Sequence, residues 1–428
     1  MWRLIVLAVL SCHSGIAQEV PAPEGSSTYP SEIAALRNDP RVQAALQHIL
    51  ALEPRSRRDL VELTEIAAPP FAEERRARRF AELLREAGLS DVRIDAAGNA
   101  IGRRPGVAGQ RVIAYSAHLD TVFPADTDVT VRFDDEKMYA PGVGDNTRGL
   151  VVVLAVLRAL QFADIATDAD LLFIGNVGEE GLGDLRGMKH LFRDGAERID
   201  ALIAVDGGDT QRIIYGGVGS HRYRVTFHGP GGHSWGDFGL ASPHHALGRA
   251  IAMFVENAPA VSSSGEKTSY NIGRIGGGTS INSIAYESWM EVDLRSGSQA
   301  RLDDIDAVFI AAVEQALQDE NAARREGPAL TVDIERVGTR PASRGDSQSP
   351  LVQRAIAATR SFDIQPVLRI SSTDANLPLS KGIPAITMSR GGVTGNAHSP
   401  EEWWQNVDGH LAMQIGLLTL LAEAGIAE

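Results

Sequence analysis

Between residues 111 and 206 the chain alternates short apolar runs with helical stretches, and few architectures accept that pattern. The runs are RVIAY (111–115), LLFIGNV (171–177) and ALIAVD (201–206). Between the first two, LVVVLAVLRAL follows Gly149 and has no polar face, so it reads as a buried helix. A further helical stretch runs from Met188 to Arg193. Strands separated by helices form a mostly parallel sheet covered on both faces, which predicts an α/β layer fold. Helical periodicity also marks Val42 to Leu52 and Phe71 to Ala87, the latter stopped by Gly88. The same character returns late in the chain, with helices at 350–361 and 408–424 and strands at 366–369 and 384–388.

A different pattern interrupts it. Residues 221–227 (HRYRVTF) alternate as a half-exposed strand, and Pro243 to Val255 is helical. Strands at 267–275 and 285–295, a helix from Leu302 to Ala316 and a strand from Leu330 to Glu335 follow. This βαββαβ order predicts a small α+β sandwich inserted into the larger fold. The expected organisation is a larger domain from 36–216 and 336–428, with 217–335 inserted. Residues 18–35, rich in Pro, Ser and Gly, read as a linker.

Residues 1–17 (MWRLIVLAVLSCHSGIA) have the layout of a secretory signal peptide. Cleavage after Ala17 is favoured. Lipidation of Cys12, within the loose lipobox VLSC, is the first alternative and an uncleaved tail the second. A secreted or periplasmic location follows, or anchoring at Cys12. No other run is long enough for a transmembrane helix. Lys and Arg number 41 against 55 Asp and Glu, a net charge of −14, so nucleic acid is not the expected partner. Cys12 is the single cysteine, which excludes a disulfide framework and thiol-bound zinc. Any metal must be held by His, Asp and Glu.

Such residues gather where predicted strands end, the usual ligand edge of an open α/β sheet. His118 and Asp120 follow RVIAY, and their spacing places both on one side of extended chain. There His118 can bind a metal while Asp120 orients its ring. Asp145, in GVGDNTRG, precedes the buried helix and is also a natural N-cap. Glu179 and Glu180 are adjacent carboxylates between glycines at the end of LLFIGNV. Two such charges repel unless a metal intervenes, one carboxylate ligating while its neighbour acts as general base. Asp206 ends ALIAVD, and His398 lies in GNAHSP after the run PAITM. Together these groups suit two divalent ions sharing a carboxylate, with zinc the leading candidate.

The motifs SAHLDTV, GVGDNTRG, GEEG, the Asp after ALIAV, HGPGGHSW and NAHSPEE occur in one order. In that order the chain resembles the zinc metallopeptidase family that contains carboxypeptidase G, peptidase T, aminoacylase and succinyl-diaminopimelate desuccinylase. The resemblance spans about residues 40–428. It implies His118, Glu180, Asp206 and His398 as terminal ligands and Asp145 as the bridging ligand of two Zn2+, with Co2+ or Mn2+ as substitutes. It implies Glu179 as general base and Asp120 as the support of His118. In the inserted domain it implies His233 as an oxyanion contact that reaches a partner subunit in dimeric members. Asn282 and Arg295 are implied to hold the substrate, although Arg295 can also pair with Asp293 or Glu291. The insert has the size of the dimer-forming version, which makes a homodimer the expectation. Asp rather than Glu at position 206 leans towards aminopeptidases and dipeptidases acting on short peptides. An N-acyl amino acid deacylase or carboxypeptidase is the alternative. A silent binding protein of this fold would lack a ligand or the base, and here none is missing. Asp374, in SSTDAN, matches a family stretch near the active site but receives no role, and Trp403 with Trp404 reads as packing.

Overall fold

A computed structural model describes residues 20–21 and 28–427. The expected signal peptide, with Cys12, lies outside them. In the largest sheet the order is Val20–Pro21, Val367–Ser371, Arg212–Gly217, Ala385–Met388, Ala201–Val205, Val112–His118, Asp170–Asn176, Ala100–Arg104 and Asp91–Ile94. Its centre is parallel: Ala385–Met388, Ala201–Val205, Val112–His118 and Asp170–Asn176 run in one direction. The predicted α/β fold is therefore present, with antiparallel pairs at both margins. Every residue of the Val112–His118, Asp170–Asn176 and Ala201–Val205 strands is buried. That is why their sequences run apolar without alternation. Gly149–Phe162 is a helix and is buried on nearly all sides, as its lack of a polar face requires.

A second sheet is antiparallel throughout, in the order Thr268–Gly277, Glu287–Ser296, Gly219–His228 and Thr331–Arg340. Burial alternates residue by residue along Glu287–Ser296 and, from His221 onward, along Gly219–His228, so one face meets a core and the other stays polar. That core includes Phe227, Phe254 and Phe309, with helices Pro243–Asn257 and Gln299–Ala323 packed on it. The βαββαβ order is the expected one.

Two boundaries differ from the sequence reading. Residues 28–35 belong to a helix, Thr28–Asn38, rather than to a linker. Ile33 is buried in the main core, and Glu32 pairs with Arg354 at 3.2 Å. The Pro and Ser content hid the helix because Pro30 sits in its first turn, where proline is tolerated. The last strand of the insert continues beyond Glu335 to Arg340. Its ending, RVGTR, is too polar to read as strand, yet it carries Arg340 into the larger domain.

Candidate metal centre

The central parallel strands end on one edge of the sheet. His118 is the last residue of its strand, Glu179 and Glu180 follow Asp170–Asn176, Asp206 follows Ala201–Val205, and Arg390 follows Ala385–Met388. His118, Asp145 and Glu180 each offer a ligand atom, all within 4.8 Å of one another, the metal-capable group among the described residues. His398 completes the cluster. Asp145 faces both imidazoles: Oδ1 lies 3.4 Å from His118 Nε2, and Oδ2 lies 3.4 Å from His398 Nε2. His398 Nε2 is also 3.2 Å from Glu180 Oε1. Asp206 joins through Arg390, whose Nη1 is 3.0 Å from both Asp145 Oδ1 and Asp206 Oδ1.

The ring of His118 is oriented through the chain rather than through a carboxylate. Its Nδ1 donates to the Asp120 carbonyl at 3.0 Å, whereas Asp120 Oδ1 is 3.8 Å away. The Asp120 carboxylate instead accepts from the backbone N–H of Glu179 at 3.0 Å and of Glu180 at 2.7 Å. The expected support of His118 therefore comes from the carbonyl of Asp120, while its carboxylate fixes the turn that carries both glutamates. A carbonyl can only accept, so Nδ1 carries a proton and Nε2 is the nitrogen left to face a cation. That Nε2 is buried with no hydrogen-bond partner, the state expected of an atom whose partner is a metal ion. The donor set is all nitrogen and oxygen, which suits a divalent cation.

Burial opposes charge on His118, but the facing carboxylate of Asp145 and the nearby Asp206, Asp120 and Glu179 hold its imidazole well above the usual range, so a cation binds there by displacing a proton. Hydrogen bonds to Asp145 and Glu180 push His398 up to about 10. Burial works against the Asp145 carboxylate, yet Arg390 and the two histidines hold it well below its usual range. Burial raises Glu179 well above the carboxylate range, with Arg340 pulling the other way. Arg340 Nη1 is 2.8 Å from Glu179 Oε1, and its Nη2 donates to the Glu179 carbonyl. A carboxylate lifted by burial is suited to accept a proton.

Three residues expected to contact the oxyanion or the substrate are held by local partners in the inserted domain. His233 is exposed in a short hairpin, Gly232–His233 pairing with Ser283–Ile284. Its Nδ1 accepts from the N–H groups of Trp235 and Gly236, at 3.2 and 3.3 Å. Asn282 belongs to the same hairpin, its carbonyl accepting from Ser234 N–H at 3.0 Å. Arg295 Nε pairs with Asp293 Oδ2 at 2.6 Å, the structural partner the sequence had offered. Among the described residues no hydrogen bond or ion pair links these three to the cluster.

Four residues without a sequence-derived role belong to the centre. Arg340 and Arg390 are two of them. Asp374 accepts from Asn176 Nδ2 at 2.8 Å, and burial pushes its carboxyl up to about 7 against the pull of His118. Glu402 is fully buried and accepts the backbone N–H groups of Gly142, Gly144 and Asp145, at 3.0, 2.9 and 2.7 Å. It ties the loop bearing Asp145 to the segment bearing His398. Gly144 is obligatory there, since a Cβ would meet Thr394 Oγ1 at 2.6 Å. Replacing Glu402 with alanine orphans three backbone donors, those of Gly142 and Gly144 in buried hydrogen bonds. It is expected to cost about 3 kcal/mol of stability, read as a lower urea midpoint. The sequence signal was present in NAHSPEE, but a second acid in a surface-like turn resembles solvated charge.

Comparison with known proteins settles the family. The sequence profile described as peptidase family M20/M25/M40 matches residues 114–424, most of the chain. The chain belongs to peptidase family M20/M25/M40. Membership places this M20 protein among metal-dependent hydrolases of peptide and amide bonds. It is 35% identical over 122 residues to a hydrolase of Pyrococcus abyssi (strain GE5 / Orsay) named for LysW-lysine and LysW-ornithine. That match covers 28% of the M20 chain and 32% of the relative, about a third of that protein's length. It is 23% identical to carboxypeptidase G2 of Pseudomonas sp. (strain RS-16), covering 64% of this chain and 65% of that one. In fold it is similar to a tripeptidase from Staphylococcus aureus subsp. aureus Mu50, with a TM-score of 0.70 and 21% identity. That superposition covers 87% of the M20 chain and 99% of the tripeptidase. No helix among its described residues is long and apolar enough to cross a membrane.

Proposed function

We propose that this chain hydrolyses the amide bonds of short peptides in the manner of an aminopeptidase or dipeptidase. The observation that carries the reading is the placement of Asp145, one oxygen towards His118 and the other towards His398, each at 3.4 Å. A carboxylate so shared fits two divalent cations, zinc first. His118 and Asp206 stand on one side of it, Glu180 and His398 on the other. When bound, such ions supply a water of lowered pKa and polarise the scissile carbonyl.

The protein's own groups carry the proton. Glu179, held by Arg340, takes it from the attacking water and delivers it to the departing amine. Asp120 keeps Glu179 and Glu180 at fixed positions through their amides. His233 accepts on Nδ1, so its Nε2–H is free to donate to a developing oxyanion. It does so when the hairpin meets a centre, either by domain closure or from a second copy. Trp235, Phe238 and Ile281, all exposed beside it, support pairing of inserted domains in a homodimer. Asn282 and Arg295 would contact the substrate once the hairpin is in place. Export through residues 1–17 is part of the same reading.

The match to carboxypeptidase G2 favours a second substrate class, N-acyl or C-terminal amides. A panel of di- and tripeptides, blocked peptides and acetylated amino acids separates the two. Cleavage of free-amino peptides, lost with chelator and restored by zinc, is the expected result. Turnover confined to acylated substrates would replace the first reading with the second.

A further inference from the structure

A fixed positive charge is built into one half of this centre. Arg390 is 3% exposed, its backbone N–H donates to the Gly207 carbonyl at 3.0 Å, and its carbonyl accepts from Arg148 Nε at 3.2 Å. So held, its Nη1 meets Asp145 Oδ1 and Asp206 Oδ1, both at 3.0 Å. Asp145 Oδ1 is the oxygen on the His118 side. In the other half, Asp145 Oδ2, Glu180 and His398 form no hydrogen bond or ion pair with a guanidinium among the described residues; Arg340 acts on Glu180 only from a distance and pairs with Glu179 instead.

The two halves therefore differ in charge although their ligand types are alike. A histidine admits a cation by releasing its proton. A guanidinium has no such option, because it stays charged throughout the accessible pH range. Any cation on the His118 side shares two carboxylate oxygens with Arg390 and lies near a like charge that cannot be removed.

We infer that Arg390 makes the two cation positions unequal, weakening the position served by His118 and Asp206 relative to the one served by Glu180 and His398. The inference rests on the two-cation reading above. One ion is then a resident and the other exchanges, and the chain in cation-poor surroundings holds a half-loaded centre.

The test is a zinc titration of the chelator-stripped full chain against a chromophoric competitor. Wild type is expected to bind in two steps at least about tenfold apart. His118→Ala should remove the weaker step and His398→Ala the tighter one. Arg390→Met, which keeps the bulk and removes the charge, should strengthen the weaker step by about tenfold, the sign expected when a like charge beside the cation is removed. Arg390→Lys should keep the wild-type spacing. Equal steps in wild type, or a weaker step that Arg390→Met leaves unchanged or loosens, would overturn the inference. Failure to bind zinc at all would instead overturn the two-cation reading. Should Arg390→Met not fold, Arg390→Gln carries the same prediction, and a weaker step that it leaves unchanged or loosens overturns the inference.

Discussion

Glu179→Gln is expected to lower kcat by about 10³-fold on any peptide the wild type cleaves, with bound metal unchanged. The effect is large because no neighbour can take the base's place. Glu180 and Asp145 face the imidazoles, Asp120 is committed to two amides, and Asp374 to Asn176. Glutamine is preferred to alanine for the test. Arg340 and Glu179 are 5% and 7% exposed at their side chains, and truncation would leave a buried guanidinium short of its partner, at about 3–5 kcal/mol. Glutamine retains an acceptor for Arg340 while losing the basic oxygen. Turnover rates and metal content by mass spectrometry, measured together, check the role. Wild-type rates in Glu179→Gln would remove Glu179 from the mechanism.

Asp145→Ala should have the second large effect, and it should appear without any substrate. Both imidazoles turn to this one carboxylate, so its loss is expected to empty the centre rather than halve it. A chain held at about 100 times its Kd for zinc gains about 2.7 kcal/mol of stability from binding. Calorimetry with zinc and with chelator should show that gain in wild type and none in Asp145→Ala. A variant that kept the full zinc-dependent rise in Tm would exclude Asp145 as the shared ligand.

What was readable beforehand follows from how each residue announces itself. His118, Glu180 and Asp206 end apolar runs whose burial makes them strands, so polar groups there stand out, and strand order brings them to one edge. Asp145 and His398 were recognisable chiefly through motif order, since one resembles a helix cap and the other a turn. Arg340, Arg390 and Glu402 escaped notice because their partners are far away in sequence. Arg340 and Glu179 are 161 positions apart, and Arg390 and Asp145 are 245 apart. A charged residue in a polar stretch reads as solvated until the fold supplies its counterpart. Asp120 was placed correctly but for the wrong bond, because two-residue spacing cannot tell a carboxylate from its own carbonyl. Residues 28–35 were misread because composition outweighed a single buried isoleucine.

The strand Thr331–Arg340 has a practical bearing on recombining such proteins. Its first residues belong to the inserted sheet and its last side chain grips Glu179. A chimera that exchanges the insert at residue 335 would splice foreign chain directly onto the stem that carries this grip. Crossover points placed beyond Arg340 would move the insert and its arginine as one cassette, leaving the recipient's base still clasped.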